Sequence, residues 1–61
     1  MFEIGDRVFC KGINKVGTIE SFYRGEGGWC ASIHFDGDPK NLQFGKSLQR
    51  LIKVMEESYV R

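Results

Sequence analysis

The stretch GWCASIHF, from Gly28 to Phe35, constrains the fold more than any other part of the chain. Trp29, Ala31, Ile33 and Phe35 alternate with Cys30, Ser32 and His34. Successive side chains on a strand point to opposite faces, so this period-two pattern predicts a β-strand with one apolar face. The first set is expected inward, with Trp29 in the core, and the second outward.

The rest of the chain repeats the theme in shorter pieces. Glycines punctuate runs rich in β-branched and aromatic residues, the pattern of a small all-β sandwich or barrel. In DRVFCK, Val8 and Cys10 share one face, preceded by Ile4 and Asp6, while Arg7, Phe9 and Lys11 share the other. In VGTIESFYR, Ile19 and Phe22 both look buried yet lie three apart. A β-bulge near Glu20 and Ser21 reconciles them and bends the strand. GEGG reads as a hairpin turn. NLQF is expected to form a short strand with Leu42 and Phe44 inward. GKSLQRLIKV reads as one tight helical turn and a last strand, with Leu48 and Leu51 plugging one end. The fold expected is five short strands with a helical turn before the last, over residues 1–54. Residues 55–61, MEESYVR, are expected to be a frayed tail or a short helix.

Size and charge restrict function. Sixty-one residues make one domain at most. A chain this short buries only about 60 % of its unfolded surface, so its core is marginal and a deep catalytic cleft is hard to build. Flat faces, shallow grooves and oligomer interfaces are the realistic sites. The net charge of +1 lacks the basic excess of an obligate nucleic-acid binder, although charge can cluster locally. No apolar run approaches the ~18 residues of a membrane span. MFEIGDRV lacks the features of a signal peptide, so a cytoplasmic protein is expected. Cys10 and Cys30 belong to no CxxC pair and read as reduced thiols.

HFDGDPKN, from His34 to Asn41, gathers one histidine and two aspartates. As a calcium loop starting at Asp36 it would need glycine at its sixth position and glutamate at its twelfth; Asn41 and Ser47 stand there. Asp-Gly and Asp-Pro instead predict a turn, with Gly37 supplying positive φ and Pro39 ending the ladder. The sequence nominates no base partner for His34 and no nucleophile elbow. GEGG lacks a phosphate-loop pattern. No metal and no cofactor are expected.

Phe9 and Tyr23 each follow a residue expected inward, so both should point out. Arg7, Lys11 and Arg24 lie beside them, with Lys15 nearby. Exposed aromatics flanked by cations stack on nucleic-acid bases or anchor a protein partner. The binding residues expected are therefore Arg7, Phe9, Lys11, Tyr23 and Arg24.

GDRVFCKGINKVGTI, followed by WCASIHFDGDPKNLQF and LQRL, resembles SH3-like β-barrel modules of the KOW and Tudor type over roughly residues 4–54. The resemblance implies a five-stranded SH3-like barrel, a fold that serves many binding functions. Tyr23 and Trp29 would contribute to a Tudor-type aromatic cage. A weaker similarity is to the plasmid-encoded type II dihydrofolate reductases, barrels that assemble around a shared pore. It rests on GDRV, KG, FY, LQF and LQRL, and implies a ligand-binding role for Gln43. That family's pore lysine falls at Cys10 here, and its tyrosine at Gly45.

The expectation is a non-catalytic binding module with a protein partner, because charge is near neutral and aromatics outnumber clustered cations. The alternative is RNA or DNA on the first two strands, and the remote one an oligomeric reductase. Outward Phe9 and Cys30 are also compatible with a homodimer.

Overall fold

In the computed structural model, which describes residues 1–54, the chain is almost entirely β. The strands are β1 (Arg7–Cys10), β2 (Lys15–Gly25), β3 (Gly28–Phe35), β4 (Phe44–Ser47) and β5 (Leu51–Lys53). All neighbours are antiparallel, in the order β4-β3-β2-β1-β5. A single 3-10 turn, Leu48–Arg50, precedes β5, capped by the Ser47 hydroxyl accepting from the Gln49 amide at 3.3 Å. This is the expected all-β order, in a sheet compatible with a small barrel. The expectation for residues 55–61 lies outside the described residues.

The long strand β2 holds the sheet together. Its first half pairs with β1, from Arg7↔Thr18 to Cys10↔Lys15. Its register with β3 runs from Gly17↔Phe35 to Gly25↔Gly28 and shifts between Ile19 and Ser21. Glu20 is the extra residue of the expected bulge. Ile19 and Phe22 therefore both face the core, opposite Ile33 and Ala31, despite their spacing. The hairpin after β2 is tighter than GEGG implied: Gly25 and Gly28 are paired, leaving Glu26 and Gly27 as the loop.

Val8, Cys10, Ile19, Ala31, Ile33, Phe35 and Leu51 form the buried core, with Phe2, Phe22 and Leu48 packed against it. Glycine is required at Gly17, in the core-face row Val8–Gly17–Phe35. A Cβ there would lie 2.7 Å from both the His34 carbonyl oxygen and Ile33 Cγ2, and 3.0 Å from Phe35 Cα. Only a residue without a side chain lets β2 and the Phe35 end of β3 close on each other.

Several expectations fail at the edges of this core. Trp29 shares the parity of Ala31, Ile33 and Phe35, yet 52 % of it is exposed. It lies two residues beyond the last fully covered position, where β1 and β5 no longer extend over it. Ile4 is exposed, because the chain turns before β1, with the Asp6 amide donating to the Glu3 carbonyl at 3.1 Å. Strand β4 begins at Phe44 instead of Asn41. Leu42 stays in the connection, its amide bonded to the Pro39 carbonyl at 3.0 Å, and is partly exposed. Phe44 does face the core side, opposite Ile33 and 6.2 Å from the Phe35 ring, but β4 is an edge strand and leaves it 42 % exposed.

Candidate functional site

The aromatic and basic residues picked out by the sequence do not form one surface. Phe9 stands on the outer face between Val16 of β2 and Ile52 of β5, and is half-buried by that row. Tyr23 stands on the same face opposite Cys30. Seven positions of β2 separate Val16 from Tyr23, about 23 Å along the strand at ~3.3 Å per residue. Arg7 shares that outer face, opposite Thr18, but is engaged there. Its guanidinium grips the Asp36 carboxylate with two bonds, 2.7 Å and 2.6 Å, and donates to the Thr18 hydroxyl at 3.2 Å. The hydrogen bonds and charge of Arg7 hold Asp36 below the usual carboxylate range, against a smaller desolvation effect. Lys11 and Lys15 are exposed at the β1–β2 turn, where Asn14 adopts a left-handed φ of 59°.

Tyr23 has a packing role that its exposure conceals. A Cβ on Gly45 would collide with the Tyr23 hydroxyl and ring carbon, so the ring lies across β3 onto the bare backbone of β4. The remaining polar residues of the motifs are also engaged locally. The Ser32 hydroxyl donates to Gln43 Oε1 at 2.6 Å. His34 Nε2 is 3.0 Å from the Asp38 carbonyl oxygen, which can only accept, so that nitrogen carries the proton. HFDGDPKN is thus a turn, closed by the Asp38 amide on the Phe35 carbonyl at 3.1 Å, with Gly37 at φ 91°. Among the described residues, no group of three or more His, Cys, Asp or Glu is placed to hold a metal ion. Cys10 and Cys30 are free thiols on opposite faces, Cys10 in the core and Cys30 on the outer side.

The feature with binding geometry lies elsewhere, at the open end of the core face. Met1, Phe2, Phe22, Trp29 and Leu48 line a groove of about 700 Å³. Register explains its position. Phe22 and Ala31 form one core-side row with Lys46 of β4, and Arg24 and Trp29 the next. In this last row the Arg24 guanidinium carbon sits 5.4 Å from the Trp29 ring centroid, a cation–π contact. Arg24 therefore borders the groove and does not share the outer face with Tyr23. Lys46, half-buried, is the cation of the β4 side. Glu26 is exposed on the loop beyond Gly25.

The sequence places Phe22, Trp29 and Leu48 in the core; Phe22 and Leu48 do pack against it, and Trp29 alone of the three is left exposed. The detectable signal was positional: Trp29 directly follows the GEGG turn, so it falls at the end of the hairpin where few neighbouring strands reach. No helix of the described residues is long and apolar enough to cross a membrane. Comparisons with protein-family models, curated proteins and solved structures each returned no match to this chain.

Proposed function

We infer that the protein is a non-catalytic binding module of SH3-like barrel type that receives a short apolar segment of a protein partner in the Trp29 groove. The half-exposed Trp29, set among Phe2, Phe22 and Leu48 and stacked by Arg24, carries this reading. Tryptophan and arginine are the residue types that most often dominate binding energy. The groove volume is within the ~300–1,000 Å³ of small-molecule clefts, but such clefts normally carry a few polar groups that orient the ligand. All five lining side chains here are apolar, which suits an aliphatic or aromatic anchor better than a polar metabolite or a base edge. Arg24 and Lys46 on the border favour a segment that carries carboxylates beside its anchor.

Selection of displayed peptides against the folded chain tests this. Selected peptides should be apolar with acidic flanks, should shift the emission of Trp29, the single tryptophan, to the blue, and should lose affinity for Trp29→Ala. Equal binding to Trp29→Ala would place the site on another face. A pool of short DNA and RNA at low salt supplies the competing outcome. Resonance shifts on residues 7–11 and 22–24 that reverse with salt would replace the protein reading with the nucleic-acid one.

A further inference from the structure

Taking the Trp29 groove as a peptide site, we propose that the partner segment is held as an added strand along the free edge of β4. It runs antiparallel to β4, with a carboxylate opposite Lys46 and an apolar side chain two places to either side.

Backbone alternation identifies the free groups. In an antiparallel pair, residues that exchange both backbone bonds with one neighbour alternate with residues that turn both groups the other way. The Asp36 amide donates to the Val16 carbonyl at 3.0 Å, continuing the β2–β3 register one row past Gly17↔Phe35. His34, Ser32 and Cys30 share the parity of Asp36 and turn their backbone groups to β2. Ile33 and Ala31 therefore turn theirs to β4, where their partners are Phe44 and Lys46. Gly45 and Ser47 are left with amide and carbonyl directed outward, and among the described residues no strand lies on that side of β4. The other edge of the sheet is blunted. Strand β5 has three residues, and its Leu51 amide is taken by the Leu48 carbonyl.

The side chains around the β4 edge say what it accepts. Lys46 is the charged residue of β4 and stands on the core side, in the row of Ala31 and Phe22. Exposed Phe44 precedes it on that face, and Leu48, a wall of the groove, follows it. On the outer face Gly45 is bare and the Tyr23 ring covers it, a flat support for a strand alongside. An added antiparallel strand bonds at Gly45 and Ser47. Lys46 then falls at a non-hydrogen-bonded pair, where facing side chains are closest, with ~4.5 Å between Cα atoms. A carboxylate there neutralises Lys46, and side chains two places away reach Phe44 and the mouth of the groove. The same rule disfavours a second copy. Pairing β4 with itself so that Gly45 meets Ser47 uses all the free groups but sets Lys46 against Lys46, and like charges directly opposite are destabilising.

An NMR titration of the labelled full chain with the end-blocked synthetic peptide Thr-Leu-Thr-Glu-Thr-Leu-Thr tests the proposal. Amide shifts should centre on Gly45 and Ser47 and saturate. N-methylation of either threonine beside the glutamate removes a bond to β4 and should weaken binding about tenfold. N-methylation of the glutamate, whose amide points away from β4, should leave binding unchanged. Lys46→Glu should reverse the preference, toward the peptide with lysine in place of glutamate. Equal losses at all these N-methyl positions, or none at any, would overturn the added strand, and so would the absence of a saturable shift. A dimeric chain whose Gly45 and Ser47 amides are already protected from exchange would also overturn it, by making a second copy the occupant. The two readings fail separately. Binding that ignores N-methylation but is lost in Trp29→Ala leaves the groove and removes the strand. Binding that keeps the N-methyl pattern but is unchanged in Trp29→Ala leaves the strand and removes the groove.

Discussion

The two ends of the core face are built from the same strands by the same alternation, and they end up differently. At one end, Val8, Cys10, Ile19, Ile33 and Phe35 are sealed to 1 % exposure or less. At the other, Phe22 and Leu48 are only partly covered and Trp29 is half open. On β3, four residues of identical parity pass from sealed Phe35 to open Trp29. Parity decides which face a side chain takes, and depth depends on how many other strands lie over it. The sealed end has β1 and β5 across from β3, whereas beyond the bulge only β4 flanks β2 and β3, and past Cys30 these two continue alone as a two-stranded ribbon through Arg24 and Trp29. Such a ribbon gains little stability by itself and leaves one apolar end available for a partner.

The widest contrast is between Phe35→Ala and Trp29→Ala. Removing a sealed phenylalanine should cost about 3–5 kcal/mol. At ~0.05–0.15 kcal/mol per residue a chain of this size holds roughly 3–9 kcal/mol in total, so Phe35→Ala should be largely unfolded in a urea titration. Trp29→Ala should lose only part of its burial and the Arg24 contact, roughly 1–2 kcal/mol, and stay cooperative. Equal losses would break the comparison by making Trp29 part of the core after all. Gly17→Ala falls between them. Its Cβ meets backbone atoms of His34 and Phe35, which cannot move as a side chain would, so about 1–3 kcal/mol of overpacking is expected. A smaller loss would mean that the sealed end can loosen without coming apart.

This difference also marks how much was legible in the sequence. The strand order, the bulge at Glu20, the turn at Gly37 and the 3-10 turn before β5 follow from local signals: glycine, Asp-Pro, and a spacing of three inside a period of two. The groove was not legible, because nothing local tells Trp29 that β1 stops at Arg7. Arg7, Phe9, Lys11, Tyr23 and Arg24 looked like one platform because they are close in sequence or on adjacent strands. Each was then claimed by a neighbour or a direction that only register reveals: Arg7 by Asp36, Tyr23 by the gap at Gly45, Arg24 by Trp29.

The smallest effect concerns whether the sealed end relies on anything besides apolar burial. The Arg7–Asp36 pair spans its outer side, from β1 across Thr18 to the turn after β3. Its side chains are 39 % and 52 % exposed, so solvent screening leaves it a weak contributor. Because the pair depresses the Asp36 pKa, any stability it adds is complete above the unfolded aspartate value of about 3.9 and is lost as pH falls through the lower folded value. The difference in stability between the native chain and Asp36→Asn should therefore be constant from neutral pH to about 4 and shrink below it. It should also narrow with added salt. Subtracting the two titrations cancels the other carboxylates, which both chains share. A difference that instead grows on acidification would mean that Asp36 is held for its neutral form. Organisation of the turn would then rest on the His34–Asp38 bond, and closure of the sealed end on Gly17 and the apolar core around Phe35.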